Sequence, residues 1–245
     1  MKMRAVVFAA SLLVLGVALS PAAFAQGKPA PQPSPEMIQA GFLNAHPDLL
    51  WRTRGMDQYR AERFDEAFTR FQRAARYADK PSQGLVAEMY WTGRGVPQDR
   101  PLAYAWMDLA AERFWRPFLI RREIYWQSMS ADERKQAIDV GKTLYAEFGD
   151  AVAKPRKAQV LRRERGNVTG SRTGFAGNVS IEIPSAGGSI RISGAEFYNP
   201  MYWDVDKYWA WQESVWKEAR PGLVEVGPVS TPTPPSGQAE DKGTQ

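Results

Sequence analysis

The chain has 245 residues, of which 44% are hydrophobic and 24% charged, with a formal net charge of +5. That balance excludes a disordered chain and allows a sizeable core in one or two domains. The absence of cysteine excludes disulfide frameworks, thiolate nucleophiles, zinc–thiolate sites and an N-terminal lipid-modified cysteine. A single histidine, His46, makes a multi-histidine metal site or a histidine relay hard to assemble.

Residues 1–25 read as a signal peptide. Lys2 and Arg4 form a positive start, Ala5 to Leu19 is an apolar run, and Ala23-Phe24-Ala25 is a small-x-small cleavage site. The apolar run is too short for a bilayer span, which takes about 20 residues. The expectation is an exported protein, periplasmic or released outside the cell, with no transmembrane insertion after cleavage. Acidic and basic residues are interleaved rather than segregated, so no nucleic-acid partner is expected.

Residues 26–34 form a Pro-rich tether, and 225–245 a disordered tail rich in Pro, Ser, Thr and Gly. Between them lies a helical block, residues 35–154. Ala67, Ala74 and Ala75 recur as Ala103, Ala110 and Ala111, each offset by 36. Phe64, Ala67, Phe68, Phe71 and Ala75 share one helical face, as do Ala103, Trp106, Met107, Ala110 and Phe114. The small residues let a neighbouring helix approach closely. Before the second set, a shorter helix is expected from an N-cap at Ser82. Gly93 and Gly95 end it, and Asp99 or Arg100 precedes Pro101 in the next helix.

The segment 84–114 resembles a Sel-one-like repeat, a relative of tetratricopeptide-type helical repeats. The matching residues include Gly84, Ala87, Tyr90, Gly93, Gly95, Val96, Asp99, Ala103, Trp106, Ala110 and Ala111. Residues 55–77 match the tetratricopeptide-like pattern more loosely and lack the Gly-x-Gly-Val turn. The resemblance implies a non-catalytic adaptor scaffold and carries no catalytic residues with it.

Two repeats cannot bury their outer faces alone, so flanking helices are expected. One opens at Ser34-Pro35-Glu36, with Phe42, Leu49, Leu50 and Trp51 as packing residues. Phe118 to Met129 forms another. Ser130 to Glu133 is a capping box for a third, ending near Gly149. Residues 155–169 then read as a solvated basic linker, with a helical start as the alternative, Val160 and Leu161 being apolar. From 170 to 224 the period changes to two: Val179, Ile181 and Ile183, then Ile190 and Ile192, flank a turn at 185–188. This predicts a β-hairpin with one apolar face, covered by an aromatic-rich helix from Asp204 to Ala219. The fold class is thus mainly α, a short α/α helical-repeat solenoid with a small C-terminal α+β appendage.

No catalytic, cofactor or metal-binding residue is nominated. Gly93-Arg94-Gly95 lacks the strand and the Lys-Ser/Thr of a phosphate loop. Ser214 and Lys217 spell S-x-x-K without its companion elements, and Asn167-Val168-Thr169 is only a three-residue sequon match. No carboxylate pair stands out for a hydrolase. The expected function is a non-enzymatic scaffold that binds an envelope protein or peptide, with Tyr90, Trp91 and Arg94 as contact residues. The alternative is a carbohydrate or peptidoglycan-binding module built on the aromatic residues between Phe197 and Trp216. Most of that cluster is expected to fill a small core, and Trp203 and Trp211 are the two expected to face outward if any do.

Overall fold

The computed structural model describes residues 31–166, 179–185 and 188–217. The expected signal peptide, most of the tether, the sequon, the two middle residues of the hairpin turn and the tail lie outside them.

Ser34 opens α1 (Pro35–Gln39) by accepting a hydrogen bond from the Met37 amide. A 3-10 turn, Phe42–Ala45, leads into α2 (Pro47–Arg60), followed by α3 (Phe64–Ala75), α4 (Lys80–Thr92) and α5 (Arg100–Ala110). Next come α6 (Arg116–Ser128), α7 (Ala131–Phe148) and α8 (Asp150–Gly166). The six offset alanines are all buried, on α3, on α5 and just beyond α5. Phe71, Trp106, Met107 and Leu109 fill the space beside them.

Local chemistry sets most helix ends. Asp99 accepts from the Leu102 amide at 2.9 Å at the start of α5, and Ser130 and Glu133 form the reciprocal capping box of α7. Gly93 closes α4 in the left-handed conformation. The start of α4 differs from expectation. Its N-cap is Asp79, which accepts from the Ser82 amide at 3.1 Å, and Pro81 sits inside the first turn. Proline there sacrifices only an amide that lacks a helical partner anyway.

α4 and α6 lie side by side and run parallel. A Cβ on Gly84 would meet the Phe118 ring at 2.8 Å, Glu88 pairs with Arg121 at 2.7 Å, and Trp91 stacks on Tyr125. Successive helix pairs therefore stack first helix on first helix, while α7 packs on α5.

α8 corrects the expected solvated linker at 155–169. It runs through Pro155 and buries Ala153, Lys157, Ala158 and Leu161. Proline costs one helical hydrogen bond, and burial of the following face outweighs that loss.

β1 (Ser180–Ser185) and β2 (Gly188–Ser193) pair antiparallel, with Ile181 opposite Ile192 and Ile183 opposite Ile190. The isoleucines share the inward face, and Glu182 and Arg191 pair at 2.6 Å on the other. α9 (Gly194–Phe197), α10 (Pro200–Trp203) and α11 (Val205–Lys217) follow. The hairpin's isoleucines share a core with Tyr208 and Trp211 of the expected covering helix, and α1 lies against β2 as an addition to that cover. A lone hairpin is marginal in water, and the N-terminal segment supplies further surface. Phe42, fully buried, makes edge contacts with Phe197, Tyr202 and Trp203 at 5.3–6.2 Å. Met37, Leu49 and Leu161 complete this second core.

Candidate functional site

The rim formed by α4 and its following turn carries the three residues expected to contact a partner. Tyr90 is half-buried, with its ring edge-on to Phe68 at 5.1 Å. Trp91 is half-buried and stacked on Tyr125 at 3.9 Å, and the Arg100 guanidinium lies 4.8 Å from its ring centre. Arg94 is exposed and donates to the Tyr59 hydroxyl at 2.6 Å, beside the Phe64 ring. The three are thus held in place by neighbours from α2, α3, α5 and α6. On the flank of α6, Ile120 and Ile124 stand one turn apart and are 50% and 43% exposed.

Trp203 and Trp211 do not face outward. Both are core residues, 6% and 4% exposed. The Trp203 indole donates to the Phe197 carbonyl at 2.6 Å and that of Trp211 to the Pro31 carbonyl at 2.7 Å. Indole rings enter a core when their N–H finds an acceptor, and both do. Around Trp211 an open depression of about 430 Å³ is lined by Pro31, Pro200, Met201 and Ala210 among others. Ser214, part of the S-x-x-K match, donates to the Trp211 carbonyl.

A buried polar network links α2, α8 and α11. Lys157 of α8 donates to Asp48 at 2.7 Å, and the Tyr208 hydroxyl donates to the other Asp48 oxygen. All three side chains are buried. Burial alone would raise the Asp48 carboxyl, but Lys157, His46 and the Tyr208 hydroxyl hold it below its ordinary range. Burial pulls the Lys157 ammonium down, with Asp48 opposing. Burial, reinforced by the Asp48 charge, pushes the Tyr208 phenol well up.

His46 lies beside them, stacked on Phe42 at 4.0 Å. Nδ1 is 2.9 Å from the Phe42 carbonyl and Nε2 is 3.0 Å from the Tyr202 carbonyl. Both partners only accept, so the imidazolium alone satisfies both contacts. Burial, with Lys157 nearby, nevertheless lowers the His46 pKa to about 4, leaving a neutral ring with one N–H at neutral pH.

A second ionic cluster ties α4, α5 and α8. The buried Lys80 donates to the Leu109 carbonyl at 2.9 Å and to Glu112 at 2.7 Å, and lies 3.1 Å from Asp150. Arg113 grips Asp150 with two bonds of 2.7 and 2.9 Å. Burial raises the Asp150 carboxyl, and Arg113, Lys80 and Lys154 more than reverse this, holding it below the usual range. Neither cluster was visible in the sequence, because the partners are far apart in the chain and share no spacing. Among the described residues no group of three or more His, Cys, Asp or Glu side chains is placed to hold a metal ion.

Comparison with protein-family models, with curated proteins and with solved structures found no match to this chain. The class is therefore defined by the geometry: stacked helix pairs tied together by buried ion pairs, with a small sheet-and-helix unit docked on them through the Tyr208 hydroxyl bond to Asp48.

Proposed function

We propose that the chain is an exported, non-enzymatic scaffold that holds another envelope protein or peptide along the α4–α6 side. The observation that carries this reading is the Ile120–Ile124 pair. Two exposed isoleucines stand one turn apart on α6, the helix whose Tyr125 stacks on Trp91, while Arg100 and Tyr59 hold Trp91 and Arg94 in place. Preorganised aromatic and arginine side chains beside exposed apolar surface are the usual composition of a binding hot spot. The resemblance of residues 84–114 to an adaptor-type repeat agrees with it. The aromatic residues named for a glycan-binding module, Trp203 and Trp211, are buried, so protein contact is the reading advanced.

The test is affinity capture from envelope extract with the chain from Gln26 onward, comparing wild type with Ile120→Asp/Ile124→Asp. Both residues are exposed, so the variant should unfold at the same denaturant concentration as wild type. Loss of the captured protein supports the surface. Capture of the same protein at the same yield overturns it.

A further inference from the structure

Trp51 is expected from the sequence to be a packing residue, yet it belongs to neither core. It is half-buried on α2 and serves as a platform for three arginines. The guanidinium carbons of Arg54, Arg70 and Arg73 lie 5.3, 5.3 and 4.7 Å from its ring centre. Arg54 comes from the next turn of α2, and Arg70 and Arg73 from neighbouring turns of α3.

Three positive charges gathered on one indole repel one another, and the ring quadrupole offsets only part of that repulsion. Among the described residues none of the three is paired with a carboxylate. Partners exist at suitable helical spacings but are turned elsewhere. Asp57, three residues after Arg54, faces Arg60 at 3.4 Å. Glu66, four before Arg70, faces Arg63 at 3.9 Å.

We propose that the Trp51–Arg54–Arg70–Arg73 cluster is a binding site for a phosphoryl group. A phosphomonoester brings nearly two charges and three peripheral oxygens, enough for a hydrogen bond from each guanidinium fork. A carboxylate has one charge and only two oxygens, one fewer than the three guanidinium groups gathered here. The same chemistry is offered by free phosphate, by a soluble phosphomonoester and by a phosphomonoester lipid headgroup such as that of phosphatidic acid. This site is independent of the α4–α6 contact surface.

The test follows the Trp51 indole N–H resonance, assigned by its loss in Trp51→Phe, while inorganic phosphate is added at constant ionic strength. The protein is the chain from Gln26 onward, which keeps every described residue. The expected result is a saturable shift with phosphate and none with acetate. Arg70→Gln/Arg73→Gln should weaken binding about tenfold or more, and the corresponding lysine variant should only partly restore it, since lysine keeps the charge but loses the fork. A non-saturating shift, an equal response to acetate, or unchanged affinity in the glutamine variant overturns the proposal. Unchanged unfolding of the glutamine variant by circular dichroism separates lost binding from lost structure. Sedimentation with phosphatidylcholine vesicles, with and without phosphatidic acid, then assigns the source. Co-sedimentation only with phosphatidic acid supports a lipid headgroup, and a phosphate shift without co-sedimentation supports a soluble ligand.

Discussion

Lys157 reaches across 109 positions of sequence to donate a 2.7 Å hydrogen bond to Asp48, with both side chains removed from water. This ion pair joins the start of α2 to the middle of α8, and Tyr208 brings α11 to the same carboxylate. It is the point at which the helical stack and the C-terminal unit become one structure.

Removing one partner should be far worse than replacing both. Lys157→Ala leaves Asp48 buried without its counter-charge, and breaking a buried pair in this way costs about 3–5 kcal/mol. Asp48→Leu with Lys157→Met removes both desolvated charges and should be much closer to wild type. Urea unfolding of the two singles and the double measures this. A double that costs the sum of the two singles would show that the pair is not coupled. By the same reasoning, a chain ending at Lys154 strands Asp48 and exposes the core that Leu161 completes, so it should not fold as an intact helical block.

Stability should fall as the solution is acidified through the histidine range. His46 titrates near 4 when folded and at about 6.5 when unfolded. Between those values the unfolded chain binds a proton that the folded one does not, so stability rises with pH there. His46 should contribute a loss of about 3 kcal/mol on going from pH 7 to pH 4. The Asp48 and Asp150 carboxyls are held below their ordinary range, so their contribution is present above their unfolded value and is lost at lower pH still. His46→Gln should flatten the upper part of the profile and leave the lower part. An unchanged slope between pH 6.5 and 4 in that variant would assign the dependence to other groups.

The two glycines of the turn after α4 should differ in their tolerance of alanine. Both have left-handed backbones, φ +69° at Gly93 and +75° at Gly95, which costs an alanine about 1–2 kcal/mol. A Cβ at Gly93 meets only Gln98 at 3.4 Å, whereas one at Gly95 falls 2.5 Å from the Phe64 backbone carbon. Gly95→Ala should therefore be clearly the more destabilising in thermal unfolding. Equal costs would mean that the turn can swing away from α3.

The features legible in the sequence were those decided within a few residues. The capping box at Ser130 and Glu133, the Asp99 cap, the left-handed Gly93, the buried alanine faces and the alternating isoleucines of β1 and β2 each depend on neighbours one or two turns away. Periodicity reports such contacts directly. The Tyr90–Trp91–Arg94 rim was also legible as a set of residues on one helix and turn, though not the rings and guanidinium that hold it. Tertiary structure alone decided the rest. Whether α8 continues through Pro155, whether Trp203 and Trp211 turn inward, and what else covers the hairpin all depend on Phe42, Asp48 and Leu49 arriving from the other end of the chain. Trp51 likewise becomes a platform rather than core because α3 brings Arg70 and Arg73 against it. A helical or strand period records which face of an element is apolar; it carries no record of which distant segment meets that face, and burial and charge pairing are settled only at that meeting.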